Sequence, residues 1–312
     1  MDSKQNVYDL IIIGAGPAGM TAGIFGARKG LKTLLITKDF FGMLKDALLI
    51  ENYPGFKKIK GIKLLQKMKS HLDKFPFEKI EGKQVIEIIK QDSLYETETD
   101  DNFKYLSRSI IISSGGMSKR LEIPGENEFV GKGVSYCPIC DGPLFKDKIV
   151  AVIGGGNSGV STAISLSKIA KKVYVFEALE KLTAEFILQK KITSSPKFEV
   201  FTSVTFKEIL GKERVNKIIV EIGDKEREFL VDGVFIQIGY VPVSDFCEKV
   251  VKLDRMGQIE VNPLTLETSS SGIFAAGDIN NTLFKQVVIA TGQGATAALS
   301  AAKYIENLEN NA

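Results

Sequence analysis

The chain has 312 residues, 44% of them hydrophobic, which is enough to bury the cores of two globular domains. Its 41 basic and 38 acidic residues leave a net charge of only +3, which excludes the positive excess expected of a nucleic-acid-binding protein. Three cysteines, two of them spaced as C-P-I-C, are too few for a structural disulfide framework and read instead as a working redox pair in a reducing compartment.

In chain order, Met1–Asp9 mixes acidic and basic residues and carries no secretory pattern, which predicts a cytoplasmic protein. Two long uncharged stretches follow, Leu10–Ala27 and Val287–Ala302. Both are dense in Gly, Ala and Thr and lack the apolar filling of a spanning helix, so no membrane segment is expected. From Tyr8 to Thr37 the chain reads YDLIIIGAGPAGMTAGIFGARKGLKTLLIT, and from Lys148 to Glu177 it reads KIVAVIGGGNSGVSTAISLSKIAKKVYVFE. Each has an apolar run, a G-x-G-x-x-G turn, a helical stretch of small residues and a second β-branched run. The two align without gaps at an offset of 140, so that Gly14 matches Gly154 and Thr37 matches Glu177. One such glycine motif is weak evidence. Two in one register, each between strand and helix, predict two βαβ starts built to bring backbone up to a pyrophosphate.

Small-residue loops at Ser113–Ser118 and Tyr240–Asp245 follow the buried-strand patterns SIIISSGG and GVFIQIGY and bracket the second unit. The expectation is an α/β protein of two Rossmann-like, three-layer ββα domains. The second, 118–245, is inserted into a discontinuous first domain formed by 1–117 and 246–312.

The dithiol lies just ahead of the second glycine motif, in YCPICDG at 136–142. A C-x-x-C pair brings two sulfurs close enough to cycle between dithiol and disulfide. A zinc half-site is the bland alternative, but the other candidate ligands, Cys247 and His71, are far away in sequence, and no metal is expected. A buried, inert pair is opposed by the flanking Pro and Asp-Gly, which favour an exposed turn.

Five motifs in order, GAGPAG (14–19), ENYPG (51–55), ISSGG (112–116), YCPICDG (136–142) and GIFAAGD (272–278), make the chain resemble the low-molecular-weight thioredoxin reductases over nearly its whole length. The resemblance implies FAD, a homodimer and thioredoxin as the electron acceptor. It implies that Gly14, Gly16 and Gly19, with Pro17 and Ala18, hold the FAD pyrophosphate, and that Val85 is a further contact. Asn52 would touch the flavin, and Asp278, after Gly277, would bond the ribityl chain. Lys285, Gln286 and Val287 would start the final helix beside the flavin, and Ser114 and Gly115 stand where the family has Thr-Gly. Lys285 replaces a common arginine, and Phe40–Leu44 is a degenerate form of a Gly-Gly-Gln-Leu loop. By the same resemblance Cys140 would face the flavin, Cys137 would attack the target disulfide and Asp141 would manage the thiol proton. A turn cap is the competing role for Asp141.

The electron donor is the open question. NADPH-dependent relatives carry H-R-R-x-x-x-R after the second β-branched run; here those positions hold Glu177, Ala178, Leu179 and Thr183. Lysines 171, 172 and 181 lie nearby, but lysine lacks the planar fork of a phosphate clamp. Glu177 admits two readings: it binds the ribose of NADH, or the unit keeps its fold and binds no nucleotide. The departures are similar to those of ferredoxin-dependent flavin thioredoxin reductases. The sequence therefore favours reduced ferredoxin as donor with NAD(P)H not bound, and NADH or NADPH as the alternative. A drop from about −400 mV to about −270 mV releases about 6 kcal/mol for two electrons, so ferredoxin is energetically sufficient. A ferredoxin–NADP oxidoreductase would lack the C-x-x-C; a flavin-bound redox sensor without turnover is the reading from outside enzymology.

Overall fold

The computed structural model describes residues 6–40, 42–47 and 50–310, with the backbone alone for Asp46, Ile139 and Cys140. In chain order the elements are β1 (Val7–Ile13), α1 (Pro17–Arg28), β2 (Thr33–Thr37), α2 (Gly61–Leu72), β3 (Glu78–Glu81), β4 (Val85–Gln91), β5 (Leu94–Thr99), β6 (Lys104–Ile112) and β7 (Gly116–Ser118). There follow β8 (Val134–Ser135), α3 (Pro138–Asp141), β9 (Ile149–Ile153), α4 (Asn157–Leu166), β10 (Lys172–Phe176), α5 (Phe186–Thr193) and β11 (Phe198–Phe201). The chain closes with β12 (Val204–Gly211), β13 (Val215–Ile222), β14 (Lys225–Leu230), β15 (Gly233–Ile236), β16 (Tyr240–Pro242), β17 (Ile273–Ala275) and α6 (Val287–Asn310). The fold is α/β, with two compact units. One comprises Met1–Lys45, Glu51–Met117 and Val241–Ala312; the other comprises Asp46–Ile50 and Ser118–Tyr240.

In the first unit a sheet runs β3-β2-β1-β6-β5-β4, with β17 also paired to β6. The strands β3, β2, β1, β6 and β17 are parallel, whereas β4 and β5 form an antiparallel flap on β6. Period-two alternation sorts the apolar runs between two faces. Leu10, Ile12, Leu35 and Ile111 pack with small residues of α1 and α6, while Ile11, Ile13, Leu34, Ile36, Ile110 and Ile112 pack with Tyr95, Cys247 and Ile259. No helix among the described residues is long and apolar enough to cross a membrane.

The second unit repeats the plan on a smaller scale. Its parallel sheet runs β11-β10-β9-β15-β8, and a separate antiparallel sheet runs β12-β13-β14. Val150, Val152, Val173, Val175 and Phe235 face Ala163 and Leu166 of α4, whereas Ala151, Ile153, Phe176, Val234 and Ile236 face Ile209, Ile218 and Val220. The helix on one face and small sheet on the other give the layered ββα arrangement.

Close approach of α1 and α6 depends on small side chains. A Cβ at Gly294 would collide with the Ala18 backbone, whereas one at Gly292, two residues earlier, would meet nothing within 4 Å. Gly294→Val is therefore expected to cost about 3 kcal/mol through overpacking. Gly292→Ala should add about 0.5–1 kcal/mol by restoring helix propensity. Urea unfolding of the two variants checks both signs.

Candidate active site

The first glycine turn lies at the carboxyl ends of parallel strands, where open α/β sheets bind ligands. Gly14 leaves β1 at φ +96°, a conformation that side chains resist. A Cβ on Gly19 would strike the Gly14 carbonyl and come within 2.6 Å of Ser113 Oγ. The Ser113 hydroxyl, at the end of β6, donates towards the Ile13 and Gly14 carbonyls at 3.0 and 2.9 Å. Gly16 is different: its φ is −67°, which any residue adopts, yet a Cβ there would enter open space with nothing within 4 Å. Pro17 opens α1, where its missing N–H costs nothing, and Ala18 is buried.

The strand ends around this turn carry the other candidate contacts. Ser114 Oγ donates to the Val243 carbonyl at 2.8 Å, and the Val243 N–H donates to Gly115 O at 3.0 Å. Gly277, at φ +87°, donates its N–H to Gln293 Oε1 at 2.7 Å, tying the loop after β17 to α6. Burial pushes the Asp278 carboxyl above the usual carboxylate range, against the pull of Lys285. Burial likewise lowers the Lys285 ammonium, opposed by Asp278 and Asp254. Lys285 Nζ donates to the Asn280 carbonyl. Asn52 Nδ2 donates to Gln286 Oε1 at 3.0 Å, joining two residues far apart in sequence, and Val287 begins α6. Val85 is buried in the cluster that includes Ile13, Ile36 and Ile112, the last core residues of β1, β2 and β6. Phe41, within the Phe40–Leu44 loop, lies outside the described residues.

Cys137, in the second unit, is disulfide-bonded, whereas Cys247, in the first, is a free, buried thiol. The Cys140 side chain lies outside the described residues; its backbone is in the short helix α3, which ends at Asp141. The Asp141 N–H donates to Cys137 O at 3.1 Å, and the Cys137 N–H donates to Ser135 Oγ at 3.0 Å. Residues that no sequence motif marks clamp the preceding position. Tyr136 donates its hydroxyl to Glu126, which is 1% exposed and also accepts the Leu121 and Glu122 N–H groups at 2.9 and 2.5 Å. The Arg120 guanidinium stands 4.6 Å from the Tyr136 ring centroid and donates to its oxygen at 2.9 Å. Burial, followed by the Glu126 bond, pushes the Tyr136 hydroxyl up to about 12. The only sequence signal was the adjacency of Tyr136 to the dithiol.

The second glycine turn repeats the first: Gly154 has φ +118°, and a Cβ on Gly159 would strike the Gly154 carbonyl. Here, however, the turn is dressed by its own chain. Glu177, 8% exposed at the end of β10, accepts the Gly155 N–H at 2.5 Å and the Leu179 N–H at 2.9 Å. Thr183 and Ala184 each donate an N–H to Gly155 O at 3.0 Å. Glu177 thus sits where an acidic residue meets an adenosine ribose in dinucleotide folds.

One chain with two dinucleotide-type units and a disulfide on the second has the parts of a nucleotide-linked disulfide oxidoreductase. It belongs to the pyridine nucleotide-disulphide oxidoreductase family, whose model matches residues 8–294. The thioredoxin reductase of Bacillus subtilis is 40% identical over 98% of this chain and 98% of its own length. A Bacillus subtilis protein named NADH dehydrogenase is also 40% identical, over 97% of this chain and 60% of its own length. The chain spans about three fifths of several such curated relatives, including an alkyl hydroperoxide reductase component of Escherichia coli, at 38% identity and 59% of its length. Among solved structures, Lactococcus lactis thioredoxin reductase superposes with a TM-score of 0.92 at 34% identity, over 96% of this chain and 99% of that one. A ferredoxin-flavin thioredoxin reductase from Clostridium acetobutylicum matches with a TM-score of 0.55 at 30% identity, over 98% and 100%.

The FAD expected in this family fits the first turn, because the space that a Gly16 Cβ would fill is left open beside the α1 N-terminus. Gly16→Ala should therefore leave apoprotein stability within about 0.5 kcal/mol of the parent, while weakening FAD retention about ten-fold or more. Gly19→Ala should instead destabilise the apoprotein by about 2–3 kcal/mol. Thermal unfolding and flavin fluorescence titration separate the two effects. A further expectation concerns Cys247, whose thiol burial pushes up to about 12. Iodoacetamide at pH 8 should leave it unlabelled in the native protein and modify it only after unfolding, as read by intact mass.

Proposed function

We propose that the chain is an FAD-dependent thioredoxin reductase that takes its electrons from NADH. The thioredoxin acceptor is supported by the end-to-end match to the Bacillus subtilis enzyme. The observation that carries the donor is the Glu177 carboxylate at the second glycine turn, held by the N–H groups of Gly155 and Leu179. A carboxylate has about four lone-pair sites, so two internal bonds leave capacity for ribose hydroxyls, while its charge repels a 2′-phosphate. A relative of equal identity named NADH dehydrogenase supports the same choice. The missing arginines, which favoured ferredoxin when the sequence stood alone, speak only against the phosphate of NADPH. They do not bear on NADH.

In this reading Gly14, Gly16 and Gly19, with Pro17 and Ala18, hold the FAD pyrophosphate, Asp278 bonds the ribityl chain, and Asn52, Lys285, Gln286 and Val287 line the flavin. Ser114, Gly115, Val85 and Gly277 complete that set. Bound FAD supplies the means of passing an electron pair from nucleotide to disulfide. Cys137, as thiolate, attacks the thioredoxin disulfide, Cys140 displaces it from the mixed disulfide, and Asp141 holds the proton between turnovers. The enzyme works as a cytoplasmic homodimer, as the resemblance implies.

Anaerobic mixing with NADH, NADPH and reduced ferredoxin in turn, followed by flavin absorbance, tests the donor. NADH should bleach the flavin with a kcat/KM about 100-fold above that of NADPH, and Glu177→Gln should lose about ten-fold with NADH. Bleaching by ferredoxin with none from NADH would overturn the proposal and restore the ferredoxin reading.

A further inference from the structure

A short hydrogen-bond chain joins the second glycine turn to the disulfide, entirely within the second unit. Ser158, exposed in the first turn of α4, donates its hydroxyl to Gln237 Oε1 at 2.7 Å. Gln237, just beyond β15, donates Nε2 to the carbonyls of Tyr136 at 3.0 Å and Ile236 at 2.9 Å. The amide orientation is fixed by chemistry: two carbonyls can only accept, so the NH2 end faces them and the oxygen faces the serine. The Gln237 backbone is also the floor of the turn, since a Cβ at Gly154 would collide with its carbonyl. Tyr136 immediately precedes Cys137, and its side chain is pinned by buried Glu126 and by Arg120. With the ring fixed, the Tyr136–Cys137 peptide is held at its N–H by Ser135 and at its carbonyl by Gln237, the grip that reaches the glycine turn.

We infer that Gln237 is a positioning residue that couples nucleotide occupancy of the second glycine turn to the redox state of the Cys137 disulfide. The inference rests on the nucleotide reading proposed above. Ser158 has one hydroxyl proton and cannot give it both to Gln237 and to a phosphate oxygen arriving at the α4 N-terminus. A pyrophosphate that takes this proton frees Gln237 Oε1 and loosens the amide's hold on the Tyr136 carbonyl. Reduction breaks the S–S bond, and a neighbouring peptide free to rotate gives the two sulfurs more room to separate. Both events draw on the same restraint, so each makes the other easier. The sign follows: the nucleotide binds the dithiol form more tightly than the disulfide form. By linkage, it shifts the disulfide equilibrium towards the dithiol by the same factor.

The test uses the FAD-loaded full chain and NAD+, which occupies the site without donating electrons. Enzyme is equilibrated anaerobically in graded reduced and oxidised dithiothreitol mixtures, with or without saturating NAD+. It is then quenched by alkylation and the Cys137 disulfide fraction is read by mass, while calorimetry gives NAD+ binding separately. NAD+ should shift the equilibrium towards dithiol about five-fold in the parent. In Gln237→Leu and in Ser158→Ala the shift should fall to about one-fold with NAD+ still bound. Ser158→Ala changes only an exposed hydroxyl and decides the matter should Gln237→Leu fold poorly. Equal midpoints with and without bound NAD+ in the parent, or a shift that survives both substitutions, overturns the coupling and leaves the donor reading intact. Failure of NAD+ and NADH to bind at all removes both.

Discussion

In each unit the carbonyl of the first glycine in the turn occupies the space that a side chain on the last glycine would need. Gly19 meets Gly14, and Gly159 meets Gly154, 140 residues on. This contact lets a helix begin directly against the end of a buried strand, with its N-terminal N–H groups directed at the strand ends. Everything else is placed relative to that junction. Ser113 ties the end of β6 to the first turn through the Ile13 and Gly14 carbonyls, and the Gln237 backbone closes the second from beneath. Neither arrangement survives a change that pushes the helix away from its strand.

The two copies have diverged around this shared junction. The central glycine of the first turn, Gly16, opens onto free space, whereas its counterpart, Gly156, has Thr183 Oγ1 3.5 Å from an added Cβ. The second turn carries an internal carboxylate on Gly155, whereas in the first Thr37 occupies the position equivalent to Glu177 and bonds the Asp39 carbonyl. A turn open at its centre suits a tightly held group with a large surface. A turn partly satisfied by its own chain suits a ligand that exchanges, because the protein loses less when that ligand leaves.

Much of this was legible in the sequence for a physical reason. Glycines that must take positive φ, or lie against a backbone, cannot be replaced silently, so the duplicated motif marks both junctions. Alternating apolar runs such as VYDLIII and KIVAVI mark strands buried on two faces. The clamp on the dithiol was not legible. Glu126 looks like one more surface carboxylate in PGENEF, and only the fold brings it under Tyr136 and buries it. Gln237, a lone polar residue in an apolar run, gives no sign that its amide bridges Tyr136 and Ser158. The donor was not legible, because lost arginines report on one phosphate group and say nothing about the rest of a dinucleotide.

On the proposed reading, the choice between NADH and NADPH comes down to charge at close range. A 2′-phosphate carries up to two negative charges, and a ribose held at the end of β10 would bring it to within a few ångströms of Glu177. Two like charges 4 Å apart at an effective dielectric of about 20 repel by roughly 4 kcal/mol. Salt screening relieves little of this, since Glu177 is nearly buried and the separation is far below the Debye length. Nearby lysines answer it poorly. Lys172 already bridges Glu199 at 2.5 Å, and an ammonium on a flexible stem gives up side-chain entropy when held against a phosphate. A ribose hydroxyl meets the opposite situation, because the carboxylate accepts its proton while keeping both backbone donors. On the proposed reading, the charge that would turn NADPH away is the same charge that would orient NADH.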